Sequence, residues 1–169
     1  MGSLLDQIYG IFVQPTATFE SLRQRPLVGQ SAAIVALVSA LGMGEWNAFA
    51  ILGAALAGCL GWVVLNGILW LLAYSVGRDP QWSGLLTLTG FASLPWLLWI
   101  PAQLWGPTLG AVLAVVVGLW FVAWQVWAAS VALQVSWRRL LLVIPGAFLG
   151  IGVAISWLAN SIGLLVSLG

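Results

Sequence analysis

Long apolar runs dominate the chain, and the short stretches between them carry the charged residues and prolines. A hydrocarbon core about 30 Å thick is crossed by roughly 20 apolar residues in a helix. The runs are continuous and do not alternate with a period of two, which favours helices over barrel strands. The pattern therefore predicts five transmembrane helices, at Leu27 to Met43, Ala48 to Val76, Gly84 to Ile100, Thr108 to Ser136 and Leu140 to Leu168.

The third predicted span contains Pro95, whose missing N–H and bulky ring predict a kink. A re-entrant hairpin would have the same composition as a full crossing. The basic residues favour five full crossings, because arginines near membrane ends remain cytoplasmic. With the N-terminus in the cytoplasm and the C-terminus on the opposite side, every arginine falls on the cytoplasmic side: Arg23, Arg25, Arg78, Arg138 and Arg139.

The residues before the first span predict two short amphipathic helices. Apolar residues recur at helical spacing from Leu4 to Phe12, and Pro15 ends this first helix. Residues 15–24 read as a second helix with proline in its first turn. Such helices lie in the headgroup plane or against the cytoplasmic end of a bundle. We therefore divide the chain into a cytoplasmic interfacial segment, 1–26, and an all-α polytopic membrane domain, 27–169.

The composition excludes several classes of protein. The chain is 62% hydrophobic and 5% charged, whereas a soluble domain has about 25% charged residues. It has no histidine, and its net charge of +1 is too small for binding nucleic acid by counterion release. No pair of acids, metal-ligand cluster or glycine-rich phosphate loop is present in the sequence. We expect no enzyme activity, no metal and no cofactor.

Polar and aromatic residues inside the predicted spans are the first candidate site residues. Asn66, Gln125 and Asn160 carry side chains that tie helices together by hydrogen bonds or line a small polar groove. Trp120, Trp124 and Trp127 lie on one helix face at i, i+4 and i+7. This aromatic stripe packs against neighbouring spans or acyl tails, or it docks a partner helix, a pigment or a lipid.

Small residues recur at every fourth position in three spans, and they form the second candidate set. Without side chains to separate them, helices approach closely and gain dispersion contacts. We expect these faces to pack against other spans of the chain or against another subunit. The residues are Gly53, Ala57 and Gly61; Gly110, Ala114 and Gly118; and Gly146 and Gly150.

Two segments resemble a known family. Residues 11–26, IFVQPTATFESLRQRP, are similar to the entry motif of the YIP (Ypt-interacting protein) family of five-span membrane proteins. The matching positions are Pro15, Thr18, Phe19, Leu22 and Pro26. Residues 90–98, GFASLPWLL, with Pro95, look like the third span of bacterial members. The resemblance implies a compact bacterial-type protein, whose eukaryotic relatives bind small GTPases and each other in vesicle traffic.

These observations predict a non-catalytic membrane scaffold or accessory subunit of a membrane complex, in a bacterial inner membrane or a thylakoid membrane. Its partners would be lipid and other membrane proteins, as a homo- or hetero-oligomer. The alternative is a small channel or transporter for a neutral or lipid-like substrate, lined by Asn66, Gln125 and Asn160. A third hypothesis is an assembly factor for a pigment complex.

Overall fold

The computed structural model describes residues 4–42, 47–75, 77–141 and 144–146. All secondary structure in these ranges is helical, which confirms the all-α prediction for them. The elements are α1 (Leu4–Val13), α2 (Pro15–Gln24), α3 (Val28–Leu41), α4 (Ala48–Ser75), α5 (Trp82–Phe91), a 3-10 helix (Leu94–Leu98), α6 (Trp99–Gln103) and α7 (Pro107–Leu133), followed by helical turns at 137–141 and 144–146.

Three helical stretches are long and apolar enough to cross a bilayer: Ala48–Ser75, Trp82–Gln103 and Pro107–Leu133. They match the second, third and fourth predicted spans. The first predicted span corresponds to α3, whose 14 residues extend only about 21 Å at 1.5 Å per residue. Nearly all of the fifth predicted span lies outside the described residues, and the crossing number of five therefore stays a prediction.

The third span is broken at the place that the proline predicts. An α-helix continuing past Phe91 would bring the ring of Pro95 against the carbonyl of that residue, four positions earlier. Instead α5 ends at Phe91, and the chain passes through a turn into the 3-10 helix that contains Pro95. In the continuing helix Ser93 N would have bonded Thr89 O, but it bonds Gly90 O at 3.2 Å. The break thus releases the Thr89 carbonyl from the helix.

The α5 helix is the centre of the described bundle. It packs against α2, α3, α4 and α7. In the most apolar 18-residue segment of the span that begins with α5, 67% of the residues are buried inside the protein. The corresponding share is 11% for α4 and 33% for α7. The two longest helices therefore present most of their apolar surface outward, as expected where lipid is the solvent.

The two N-terminal helices pack along the bundle. The α1 and α2 helices cross closely where Gly10 meets Thr18, since a Cβ at Gly10 would lie 2.6 Å from Thr18 Oγ1. Ile11 and Phe19 are fully buried in a core that they share with Leu88 of α5. Ring contacts from α1 reach Trp120, near the middle of α7. Their expected placement, in the headgroup plane or against the cytoplasmic end of the bundle, stays a prediction, and Phe12 brings the end of α1 alongside α7.

Three arginines lie at one end of the bundle. Arg23 of α2 and Arg78, which follows α4, line the same polar cavity together with Gln134 at the end of α7. Arg139 lies beside the last turn of α4, in a neighbouring crevice that includes Ser75. The clustering that the sequence predicts for the basic residues is therefore present for these three.

Candidate functional site

A cluster of polar side chains is buried where α4, α5 and α7 meet. Trp62 Nε1 donates a hydrogen bond to Thr89 Oγ1 at 2.9 Å. Thr89 Oγ1 lies 2.9 Å from Asn66 Oδ1, and Asn66 Nδ2 donates to the Trp62 carbonyl at 2.7 Å. Asn66 and Thr89 are fully buried. The three residues form a closed ring of hydrogen bonds between α4 and α5.

The orientation of the Asn66 amide follows from its partners. The Trp62 carbonyl can only accept a hydrogen bond, so the Asn66 side chain must present its nitrogen to it. Its oxygen then faces the Thr89 hydroxyl and can accept its proton. Thr89 accepts from the Trp62 indole and has one proton to give, for which Asn66 Oδ1 at 2.9 Å and Leu85 O at 2.8 Å are the acceptors. The ring leaves no group of Asn66 Oδ1, Thr89 Oγ1 or Trp62 Nε1 unpaired in the low-dielectric interior.

Gln125 of α7 caps the carbonyl that the break in α5 releases. Its Nε2 donates to Thr89 O at 3.0 Å and lies 3.3 Å from Ser93 Oγ. Ser93 Oγ itself donates to the same carbonyl at 3.2 Å. Gln125 is 3% exposed, and its Oε1 is buried with no hydrogen-bond partner among the described residues. The structure therefore brings Asn66 and Gln125 into one cluster through Thr89, whereas Asn160 lies outside the described residues.

Asn66 and Gln125 are predictable from the sequence as buried polar residues, but their partners Thr89 and Trp62 are not. A Thr hydroxyl inside a helix usually bonds its own carbonyl four residues back, and Thr89 Oγ1 does lie 2.8 Å from Leu85 O. Nothing in the sequence distinguishes Thr89 from Thr87, which accepts a bond from Leu27 N instead. The i, i+4 spacing of Trp62 and Asn66 on one face of α4 is the signal that was available.

The aromatic stripe of α7 contacts the N-terminal helices. The ring centroid of Phe12 lies 5.9 Å from that of Trp120 and 5.7 Å from that of Trp124. Phe19 lies 5.7 Å from Trp124 and 6.3 Å from Trp127, edge to face in both cases. The partners of the stripe are therefore α1 and α2 of the same chain. Trp120 and Trp127 keep about a third of their surface exposed.

Some of the predicted small residues contact another helix of the chain, and others have no described atom near them. A Cβ at Gly110 would lie 2.9 Å from the Ala102 carbonyl, so α6 and α7 approach closely there, and Ala114 is buried. Around Gly53, Gly61, Gly118 and Gly146 nothing lies within 4 Å of such an atom in the described part of the chain. Ala57 is exposed, and Gly150 lies outside the described residues.

Two glycines outside the predicted small-residue stripes, Gly58 and Gly90, make the tightest approaches in the described part of the chain. At Gly58 a Cβ would collide with the Ser39 side chain of α3. At Gly90 it would collide with Ser31 Cβ and lie 3.1 Å from the Ser31 backbone. These two glycines let α3 pack against α4 and α5.

The residues of the entry motif position α2. Pro15 begins the helix, Thr18 Oγ1 donates to Gln14 O at 3.0 Å, and Leu22 is buried. Pro26 follows the end of α2. Pro95 lies in the 3-10 helix that breaks the third span. Arg23 pairs with Glu20 at 2.6 Å, and this hydrogen bond lowers the pKa of Glu20 although burial opposes it.

An apolar helical bundle with three membrane-spanning candidates and a buried hydrogen-bond cluster is the architecture of an integral membrane protein. No group of three or more potential metal ligands occurs among the described residues. The family model described as Yip1 domain matches residues 9–159, and the chain therefore belongs to the Yip1 domain family. No curated protein and no solved structure matches the chain.

Proposed function

We propose that this Yip1 domain protein is a non-catalytic scaffold that binds another membrane protein, or a second copy of itself, through the outer face of α4. The outer face is defined by Gly53 and Ala57, which are exposed. Apart from the adjoining backbone of α4, no described atom lies within 4 Å of a Cβ placed at Gly53. This open small-residue face is the observation that carries the proposal.

The comparison with the internal glycines supports this reading of the outer face. Gly58, Gly90 and Gly110 each receive a neighbouring helix of the same chain at close range. Helices in lipid associate through such small residues, because close backbone approach supplies the dispersion contacts that drive packing. Gly53 and Ala57 offer the same surface chemistry to the outside, framed by the exposed side chains of Leu56 and Leu60.

The test is native sizing of the protein extracted in native membrane discs, with mass spectrometry of every component. We expect a particle of defined stoichiometry, containing either two copies of the chain or one copy and one partner. The double substitution Gly53→Leu/Ala57→Leu should reduce this particle to the monomer. The control is Val115→Phe, which adds bulk at an exposed position of α7 and should leave the particle intact.

Two results would overturn the proposal: a strictly monomeric wild-type particle, or a complex that survives the double substitution. The transport alternative stays a prediction. It receives less support, because the hydrogen-bonding groups of Asn66 at the cluster are engaged within the chain. The absence of enzyme activity, the bacterial or thylakoid membrane and the pigment hypothesis also stay predictions.

A further inference from the structure

The turn between α1 and α2 lies far along α7 from the end of the bundle that holds the three arginines, here called the arginine end. The ring of Phe12, at the end of α1, is 5.9 Å from that of Trp120 in the middle of α7. Arg23, near the end of α2, lines a cavity with Gln134, which directly follows α7. The α2 helix therefore runs beside α7 from its middle toward the arginine end.

The depth of this turn follows from the rise of a helix. At 1.5 Å per residue, Trp120 lies about 20 Å from Gln134, and the whole of α7 is about 40 Å long. A hydrocarbon core that α7 crosses is about 30 Å thick, so at most about 10 Å of the helix can extend beyond it at the arginine end. The Phe12 ring then lies at least about 10 Å inside the hydrocarbon.

The α1 and α2 helices fold back on each other at this turn, and we call them the N-terminal hairpin. A Cβ placed at Gly10 would lie 2.6 Å from Thr18 Oγ1, whereas these positions would be about 12 Å apart in one straight helix. Gln14 N donates to Gly10 O at 2.7 Å, and the Thr18 hydroxyl donates to Gln14 O at 3.0 Å. Pro15 has no N–H that would need a partner. Such internal pairing is what a medium without water requires.

The charge pattern of the N-terminal hairpin agrees with this depth. No charged residue occurs from Gln7 to Phe19, and the acids Asp6 and Glu20 flank this neutral stretch. A charged side chain inside hydrocarbon is costly. A hairpin can keep both flanking acids near the membrane surface while its neutral turn lies at depth.

The side of α1 that faces away from the bundle is apolar. Leu5, Tyr9, Phe12 and Val13 follow the i, i+4, i+7, i+8 spacing of one helix face. All four are exposed, and Tyr9 is 69% exposed. Ile11, on the opposite side, is fully buried in the core. Because the Phe12 end of the exposed face lies inside the hydrocarbon, acyl chains are the medium that surrounds it.

We propose that the N-terminal hairpin is embedded in the leaflet at the arginine end, where the exposed face of α1 contacts lipid acyl chains. In this arrangement the hairpin enters and leaves the membrane on one side and does not lie in the headgroup plane. The proposal is independent of the scaffold role, which rests on Gly53 and Ala57 of α4.

The experiment measures how often a nitroxide label collides with oxygen, which concentrates in hydrocarbon, and with a neutral nickel chelate, which stays in water. The full chain carries Cys59→Ala, which removes its native thiol, and is reconstituted in phosphatidylcholine nanodiscs. Single labels are attached at Val13→Cys and at Tyr9→Cys, whose native side chains are mostly exposed. Leu119→Cys, on the exposed surface near the middle of α7, is the lipid reference. Gln24→Cys, at the exposed end of α2, is the aqueous reference.

We expect the label at Val13 to collide with oxygen as often as the label at Leu119. Its nickel collisions should be at least about tenfold fewer than those at Gln24, because a polar solute is excluded from hydrocarbon. The label at Tyr9 repeats the measurement one turn earlier and decides it if Val13→Cys does not fold.

Two results would overturn the proposal. Nickel collisions at Val13 and Tyr9 equal to those at Gln24 would place the hairpin in water or among the headgroups. Labels shielded from both oxygen and nickel would mean that protein covers the exposed face of α1, either another part of this chain or a partner.

Discussion

Thr89 connects three helices through one side chain and one carbonyl. Its hydroxyl closes the ring with Trp62 and Asn66 of α4. Its carbonyl accepts from Gln125 of α7, because the break before Pro95 has left that carbonyl without a helical partner. The break in the third span therefore provides the carbonyl through which α7 is hydrogen-bonded to α5. In lipid no water is available to satisfy these groups, so each must be paired within the protein.

Thr89→Val should reduce the free energy of unfolding by about 1–3 kcal/mol. The valine has nearly the same shape but leaves Trp62 Nε1 and Asn66 Oδ1 unpaired in the core. Thr89→Ser keeps the hydroxyl and loses one methyl group, so it should cost less than about 1 kcal/mol. Both values can be measured by SDS titration in mixed micelles. Equal losses for the two variants would mean that packing, and not the hydrogen-bond ring, is what the position contributes.

At the scale of the helix, close approach decides which glycines matter. The α3 and α5 helices touch where Gly90 faces Ser31, with backbone atoms of Ser31 at 3.1 Å from a Cβ at Gly90. The Ser31 backbone cannot move away from a Cβ at Gly90 by a simple bond rotation, as the end of a flexible side chain could. A methyl group at Gly90 must therefore separate the two helices.

Gly90→Ala should destabilise the protein by about 1–3 kcal/mol, the usual penalty for overpacking a tight contact. Gly67→Ala is the control, because no described atom outside the adjoining backbone of α4 lies within 4 Å of a Cβ at Gly67. It should be neutral or slightly stabilising, since alanine is the better helix former. The same micelle titration measures both. Loss of stability in Gly67→Ala of the same size as in Gly90→Ala would contradict the close-contact interpretation.

The helix bounds were predictable, but the packing faces were not. The bounds of α4 and α7 follow from apolar length and agree with the predicted spans within a few residues. The face of α4 that packs inward carries Gly58, and the predicted stripe of Gly53 and Ala57 points outward. Small residues indicate only that a close approach is possible. Which face is used depends on where Trp62 and Asn66 are buried, and their partners come from a distant part of the chain.

At the scale of the molecule, the N-terminal helices were the least predictable part. Amphipathicity indicates that α1 and α2 have an apolar face but does not say whether lipid or protein covers it. In the structure Phe12 and Phe19 contact Trp120, Trp124 and Trp127. The stripe on α7 and the apolar face of α1 and α2 are thus two halves of one interface. The aromatic stripe and the apolar face of the N-terminal helices can each be recognised in the sequence. That they pack against each other is known only from the structure.

The last prediction is that the chain crosses the membrane five times, and it is based on the positions of the arginines. Arg23 and Arg78 lie at one end of the bundle, and Arg139 is beside the same end of α4. Arginines near membrane ends stay in the cytoplasm, so this end should be the cytoplasmic one. Because Arg139 lies at this end, we expect the apolar run that follows it, residues 140–168, to cross once more and to end on the opposite side.

Reporter fusions test this topology directly. Green fluorescent protein at the N-terminus, or after residue 141, should fluoresce, because it folds only in the cytoplasm. Alkaline phosphatase after Gly169 should be active, because it needs the opposite compartment, and it should be inactive after residue 141. Replacing Arg138 and Arg139 with glutamate removes the cytoplasmic anchor of the connector and should lower the phosphatase activity of the Gly169 fusion. If both termini report the same compartment, the chain makes an even number of crossings.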